Sequence, residues 1–406
     1  MKKILASALV LCMILALCPF ASADSGITVG LVCLHDENSS YDANFINAFN
    51  AACEAVGVTG VIKTNVPEDQ SAYEASAELA DDGCALVIAD SYGHQQYVLQ
   101  AAEEFPEVQF VSCTGDMAHS VGLDNYHNAF ANIFQGRFLA GIAAGMKLNE
   151  MIESGKITAE QAKMGYVGAM PYAEVISGYT SFYLGAKYIC PSVTMDVIYT
   201  GSWYDETLEK ESAEALIRGG AVLVSQHADS MGAPNACEAA GVPNVSYNGS
   251  TQTACPNTYI ISSRIDWTPY FTYAIEAVKN GENFDTDWTK GSMDIGSVAL
   301  TELNENVAAA GTAEKIAEVE AALLDGTINV FDCASFTVTI DDTFNNNSTV
   351  AAVDADGHLT SYIADIINDG TFVAETEVVE NGIIAESTLR SAPYFYAIID
   401  GITVLS

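Results

Sequence analysis

Ile27-Thr-Val-Gly-Leu-Val-Cys-Leu34 is an apolar run of strand length, and it empties into His35-Asp36-Glu37-Asn38-Ser39-Ser40-Tyr41-Asp42-Ala43-Asn44-Phe45. A run without polar interruption marks a strand covered on both faces, as in a parallel sheet. Phe45 to Val56 then carries apolar residues at helical spacing, with Asp42 placed as its acidic cap. The pair repeats downstream. Val58 to Lys63, Ala85 to Ala89 and Val108 to Cys113 read as strands, with helices at Gln70 to Asp81 and Gln95 to Glu104. Such alternation predicts right-handed βαβ units on a parallel sheet.

Outward from there, a long helix is expected from about Ala131 to Asn149, and the alternation restarts at Met164. Strands at Met164 to Val167, Val193 to Tyr199, Ala221 to Val224 and Val245 to Tyr247 interleave with helices beginning near Glu174, Glu206 and Asn235. Two consecutive doubly wound α/β units of similar size predict a type I periplasmic binding protein fold, two lobes about a hinge. The helix Thr268 to Val278 would return to the first lobe. The predicted division is a signal peptide at 1–23, an N-terminal lobe at 24–150 completed by a segment near 258–290, and a C-terminal lobe at 151–257. Closing segments follow at 291–334, then a β-rich extension at 335–406 with turns at Asn345-Asn346-Asn347 and Asp354-Ala-Asp356-Gly357.

Met1-Lys2-Lys3, the apolar run Ile4 to Leu17 and Ala21-Ser22-Ala23 follow the order of a secretory signal peptide, so the chain is expected to be exported. A lipid anchor at Cys18 needs a small residue before it, and Leu17 stands there. With 53 acidic against 15 basic residues and a formal charge of −38, nucleic acid and anionic membrane surfaces are excluded as partners. Ten cysteines include Cys12 and Cys18 of the leader, and no Cys-x-x-Cys pair signals zinc or thiol redox chemistry. His-Glu-x-x-His, Gly-x-Ser-x-Gly and phosphate-loop motifs are missing, so the chain reads as a binding protein without cofactor, metal or catalytic group.

In open α/β sheets ligands sit beyond the carboxyl ends of the strands. Seven polar-aromatic loops fall at that edge, among them Asp90-Ser91-Tyr92-Gly93-His94, Thr114-Gly115-Asp116, Gly201-Ser202-Trp203-Tyr204-Asp205 and Gln226-His227-Ala228-Asp229. They predict a cleft for a flat, polar heterocycle, its faces on aromatic rings and its edge on amides, hydroxyls and carboxylates. The candidate ligand residues are Asp36, Asp42, Asn44, Phe45, Ser91, Tyr92, Asp116, Trp203, His227, Asp229, Asn248 and Trp267.

Several of these stretches resemble the basic membrane protein family of ABC-importer receptors. Phe134-Gln-Gly-Arg-Phe-Leu-Ala-Gly141 is similar to its aromatic-x-x-Arg-aromatic-Leu-x-Gly helix, and Lys163-Met-Gly-Tyr-Val-Gly-Ala with Glu174-Val-Ile-x-Gly to its second-lobe opening. Gly201-Ser-Trp-Tyr-Asp205, Gln226-His227-Ala-Asp229 and Tyr247-Asn248 continue the resemblance in order. It implies a receptor that binds a purine nucleobase or nucleoside and hands it to an ABC permease. It also implies ligand contacts at Asp36 or Asp42, at Phe45 and at Trp203. Relatives place an Asp, then a Lys, against ribose where this chain has Asn248 and Arg264 to Trp267. On that departure a free base is expected to bind at least as tightly as its nucleoside. A surface or sensory module of the same fold is the alternative function.

Overall fold

The computed structural model describes residues 26–339, 348–371 and 373–405. The signal peptide and the Asn345-Asn346-Asn347 turn lie outside the described residues. The first unit runs β1 (Thr28–Val32), α1 (Ser40–Val56), β2 (Thr59–Lys63), α2 (Gln70–Asp81), β3 (Cys84–Ala89) and α3 (Gln95–Glu104). It continues with β4 (Gln109–Ser112), the single turn α4 (Ala118–Val121) and β5 (Tyr126–Ala131). The second runs α5 (Phe134–Glu153), β6 (Lys163–Gly168), α6 (Ala173–Ile189), β7 (Thr194–Tyr199), α7 (Glu206–Arg218) and β8 (Leu223–His227). Next come α8 (Gly232–Ala240), β9 (Asn244–Tyr247) and β10 (Tyr259–Ile265), then α9 (Thr268–Asn280), β11 (Asp287–Gly291), β12 (Val298–Leu300) and α10 (Thr312–Leu324).

The first sheet has the order β11-β5-β4-β3-β1-β2, with every pair parallel. The second contains β12-β10-β9-β8-β6-β7, parallel apart from the β10–β12 pair. Both sheets are doubly wound, with helices on their faces, as the alternation requires.

Three boundaries differ from expectation. The long helix begins at Phe134 because Ala131 closes β5, a strand whose buried His127 and Asn128 hide it from an apolar reading. His127 Nε2 pairs with Gln109 Oε1 at 2.9 Å, and Asn128 Oδ1 accepts from the Ala118 amide at 2.7 Å, which is how those side chains are tolerated inside. α5 packs on α6 in the second unit's core, so the first lobe ends near 131 rather than 150. β10 belongs to the second sheet, and the return to the first lobe begins only with α9 and β11. The chain thus crosses between lobes at 131–134, 265–268 and 291–298. Ala131 pairs with Gly291 and Ile265 with Val298, which sets the crossings side by side as a three-stranded hinge.

The extension comprises β13 (Ser348–Val353), β14 (Leu359–Ala364) and β15 (Thr376–Glu377) as one antiparallel sheet. The hairpin β16 (Val379–Glu380) and β17 (Ile383–Ile384) and the final β18 (Ile402–Leu405) complete it. β18 pairs in parallel with β7 and becomes the edge strand of the second sheet. Phe336, Leu359, Tyr362 and Phe395 share one core with α5, α6 and the second sheet, so the extension is built into that lobe. The Asp354–Gly357 turn is present, with Gly357 at φ +90°. All eight described cysteines are buried and free.

Candidate functional site

Between the lobes lies a cleft of about 380 Å³, counting the part open to solvent. Leu34, His35, Tyr41, Ser91 and Tyr92 line it from the first lobe, and Glu174, Trp203, His227, Asp229 and Tyr247 from the second. The lobes touch around it. His35 meets the Tyr204 ring at 5.4 Å, Tyr92 meets Tyr172 at 5.9 Å, and Asn44 Nδ2 donates to Asn248 Oδ1 at 3.3 Å.

A buried acid pair fixes the first-lobe wall. Asp42 accepts from the His35 amide at 2.7 Å and the Ser39 hydroxyl at 2.6 Å, and Asp90 accepts from the Leu34 amide at 3.0 Å. Tyr41 donates its hydroxyl to the Asp90 carbonyl at 2.7 Å, which holds its ring in the cleft. Burial pushes Asp90 well above the usual carboxylate range, and the Asp42 charge adds to the effect. Burial acts on Asp42 too, but hydrogen bonds with His35, Asp90 and Ser39 outweigh it and hold that carboxyl low. Of the two, the surroundings favour the ionised form of Asp42 and the protonated form of Asp90.

On the other wall, Arg137 of α5 is 1% exposed and its guanidinium carbon lies over the Tyr247 ring, 3.3 Å from the centroid. Its Nη1 donates to the Gln226 carbonyl at 3.1 Å. Burial, then this guanidinium charge, push His227 down to about 4, so the imidazole is neutral near pH 7. His227 Nε2 sits 3.3 Å from Glu174 Oε1, a spacing that makes Nε2 the donor. The cleft therefore offers aromatic faces, two carboxyl groups and neutral imidazole, and none of its lining residues is Lys or Arg. Such a lining accepts donor-rich neutral or cationic ligands and rejects phosphates.

Residues 34–329 match the family described as Bmp, ABC transporter substrate-binding protein PnrA-like. The chain belongs to the Bmp family. A purine-binding protein of Brucella abortus is 27% identical over 68% of this chain and 75% of its own length. A Haloferax volcanii protein named for glucose binding by an ABC transporter is 28% identical over 62% of this chain. The match spans 60% of that relative's length. An ABC transporter solute-binding protein structure from Aeropyrum pernix superposes with a TM-score of 0.61 at 18% identity, covering 75% of this chain and 92% of that one. One from Conexibacter woesei gives 0.58 at 21%, covering 75% and 98%. These likenesses establish the periplasmic binding protein fold. Among the described residues no helix is long and apolar enough to cross a membrane.

In this Bmp-family chain, Ser91, Tyr92, Trp203, His227 and Asp229 of the candidate residues line the cleft. Seven others lie outside it, each for a stated reason. Phe45 is fully buried against Trp267, ring centroids 4.5 Å apart, and both belong to the core between α1 and α9. Asp42 is fully buried beneath the loop, in the first turn of α1, and the helix cap is Ser39 instead. Asp36 turns outward, accepting from the Asn38 amide at 3.0 Å. Asp116 lines a neighbouring chamber. Asn44 and Asn248 bridge the lobes, and Asn248 holds a left-handed backbone at φ +65°. Leu34, His35, Tyr41, Glu174 and Tyr247 are the lining residues not singled out from sequence. Tyr41 and Tyr247 stand in the polar-aromatic runs at strand ends, so the signal was there to use.

Asp229 gives this site a pH dependence. Burial, followed by the charges of Asp42, Glu209 and Glu174, raises its carboxyl well above the usual range, while the nearby Asn248 side chain opposes the shift. A raised acid is protonated below its folded-state pKa and so donates to a ligand there. That donor is lost as pH rises through it. Ligand affinity should therefore fall as pH rises above the usual carboxylate range and through this raised pKa in the wild type, and stay flat in Asp229→Asn, which keeps an N–H donor. Parallel titrations of both proteins across that range check this, and the same slope in each removes Asp229 from the role.

Proposed function

We propose that this chain is the exported receptor of an ABC importer and that its cleft binds a purine nucleobase or nucleoside. The observation that carries the reading is the lining: rings of Tyr41, Tyr92, Trp203 and Tyr247 around two carboxyl groups, with no cation. A flat heterocycle with amino and ring N–H donors satisfies both features, stacking on the rings while its edge donates to Glu174 and meets Asp229. Ser91, Trp203, His227 and Asp229 are the proposed ligand residues from the sequence, joined by Tyr41, Glu174 and Tyr247. The bound molecule passes to a membrane permease when the lobes open about the hinge, which makes the receptor a carrier rather than an enzyme. The purine-binding relative supports this ligand class.

A neutral hexose is the second reading, favoured by the relative named for glucose binding. Fluorescence separates the two. Trp267 and Trp288 are 1% and 4% exposed, whereas Trp203 alone of the three tryptophans lines the cleft, so quenching on ligand addition reports on it. Adenine, guanine, hypoxanthine or their nucleosides should quench emission and raise the melting temperature, with glucose doing neither. Quenching by glucose alone would transfer the assignment to sugars.

A further inference from the structure

The extension begins beyond the family match, which stops at residue 329, yet it is fastened to both lobes. β18 extends the second sheet, while the stretch before it reaches the first lobe. The Ser391 amide donates to Asp287 Oδ2 at 3.0 Å, and Asn368 Nδ2 donates to Asp116 Oδ1 at 2.8 Å. Arg390 pairs with Asp116 at 3.7 Å. Between these ties the extension walls a second chamber of about 960 Å³, its open mouth included. Tyr92 and Glu174 line both this chamber and the cleft, so the two spaces adjoin.

The chamber's chemistry is specific. Thr114, 2% exposed, stands in its wall, and its buried hydroxyl has no hydrogen-bond partner among the described residues. Glu174 binds His227 through Oε1, and its other oxygen has no such commitment. Tyr172 is 40% exposed and Tyr396 half-buried, and with Pro171 and Pro393 they supply flat apolar faces. Arg390 offers no free cation, because its donors reach the carbonyls of Ala392 at 3.1 Å, Pro393 at 3.0 Å and Ile366 at 3.4 Å besides the Asp116 pair. A buried hydroxyl without a partner costs stability unless something bonds to it. Flat faces beside a carboxylate and a hydroxyl suit a ring with C–H faces and O–H edges.

We propose that the C-terminal extension is the third wall of the ligand site, and that its chamber takes a neutral, hydroxyl-bearing substituent, a glycosyl ring carried by the heterocycle in the cleft. The inference rests on the purine reading and deepens it. The chamber opens on the β4 side of the cleft, through Thr114 and Asp116, whereas Asn248 lies against Asn44 of α1. A sugar held by the extension would not need the Asp and Lys missing from the Asn248 side. The chamber then favours nucleoside over free base, the reverse of the preference expected from Asn248.

Calorimetry with adenine, adenosine and adenosine monophosphate, and with the guanine series, tests this on wild type, Thr114→Val and Tyr396→Ala. The nucleoside should bind about tenfold or more tightly than its base, and the monophosphate more weakly than the nucleoside. Both variants should erase the nucleoside's advantage and leave the base within about twofold. Thr114→Val removes an unpaired hydroxyl and should melt no lower than wild type, which separates a lost contact from a lost fold. A base as tight as its nucleoside in the wild type, or equal weakening of both in Thr114→Val, overturns the proposal while leaving the purine reading intact. Silence from base and nucleoside alike overturns both.

Discussion

Alanine in place of Trp203 should weaken ligand binding by roughly 2–4 kcal/mol, about 30-fold to nearly a thousandfold, while the melting temperature barely moves. The indole is half-buried, lies 5.9 Å from the Tyr172 ring and forms one side of the cleft. The indole packs on the edge of the second-lobe core, but the loop beneath it has hydrogen bonds of its own. Thr200 Oγ1 accepts from the Ser202 amide at 3.2 Å and donates to the Ser202 carbonyl at 2.8 Å, while the Trp203 carbonyl accepts from the Asp229 amide at 3.0 Å. These bonds survive truncation, so the loss concentrates in the aromatic face offered to the ligand. Calorimetry beside a thermal melt distinguishes the outcomes. Unchanged affinity, or a variant that unfolds, would make Trp203 a packing residue of the rim.

The largest expected effect on stability lies at the crossing of α5 and α6. A Cβ built on Gly185 would overlap the Phe138 carbonyl oxygen, and one on Gly141 would overlap that of Phe182. Both obstacles are backbone, which cannot rotate aside as a side chain does. Gly185→Val must therefore push two buried helices apart, with a cost of about 3 kcal/mol or more. α5 also carries Arg137 and starts at the first hinge crossing, so the displacement should loosen the second-lobe wall as well. Urea unfolding should show a markedly lower midpoint for Gly185→Val and little change for Glu54→Ala on the exposed face of α1. An unaltered midpoint at Gly185 would mean that the helices separate at no cost.

Much of the fold was legible because its strands are apolar and its helices periodic. Gln95–Glu104 and Gln70–Asp81 form over the residues their spacing predicts. β5, β11 and β18 were not legible. β5 buries polar side chains on specific partners, and β11 (Asp-Trp-Thr-Lys-Gly) carries charge at a sheet edge. β18 is distant in sequence from β7, the strand it pairs with. The extension's inclusion in the second sheet is a tertiary fact that no local pattern carries.

At the site, loop position was read more easily than side-chain direction. Asp42, Phe45 and Phe49 are spaced three and four apart, one face of α1, and all are fully buried. The same periodicity that revealed the helix therefore turns Phe45 to the core and away from the ligand. Tyr41, one residue before Asp42, takes the cleft instead. Trp267 likewise stacks on Phe271 at 5.8 Å, four residues along α9. An aromatic near a strand end belongs to a cleft only when the following helix does not claim it.

The central claim is that a purine binds between these two lobes. Calorimetric titration with adenine, guanine, hypoxanthine and their nucleosides, beside glucose, tests it most directly. The account predicts saturable heat from at least one purine, with a dissociation constant of about a micromolar or tighter, and its loss in Trp203→Ala. No heat from any purine, with glucose titrating normally, would contradict it.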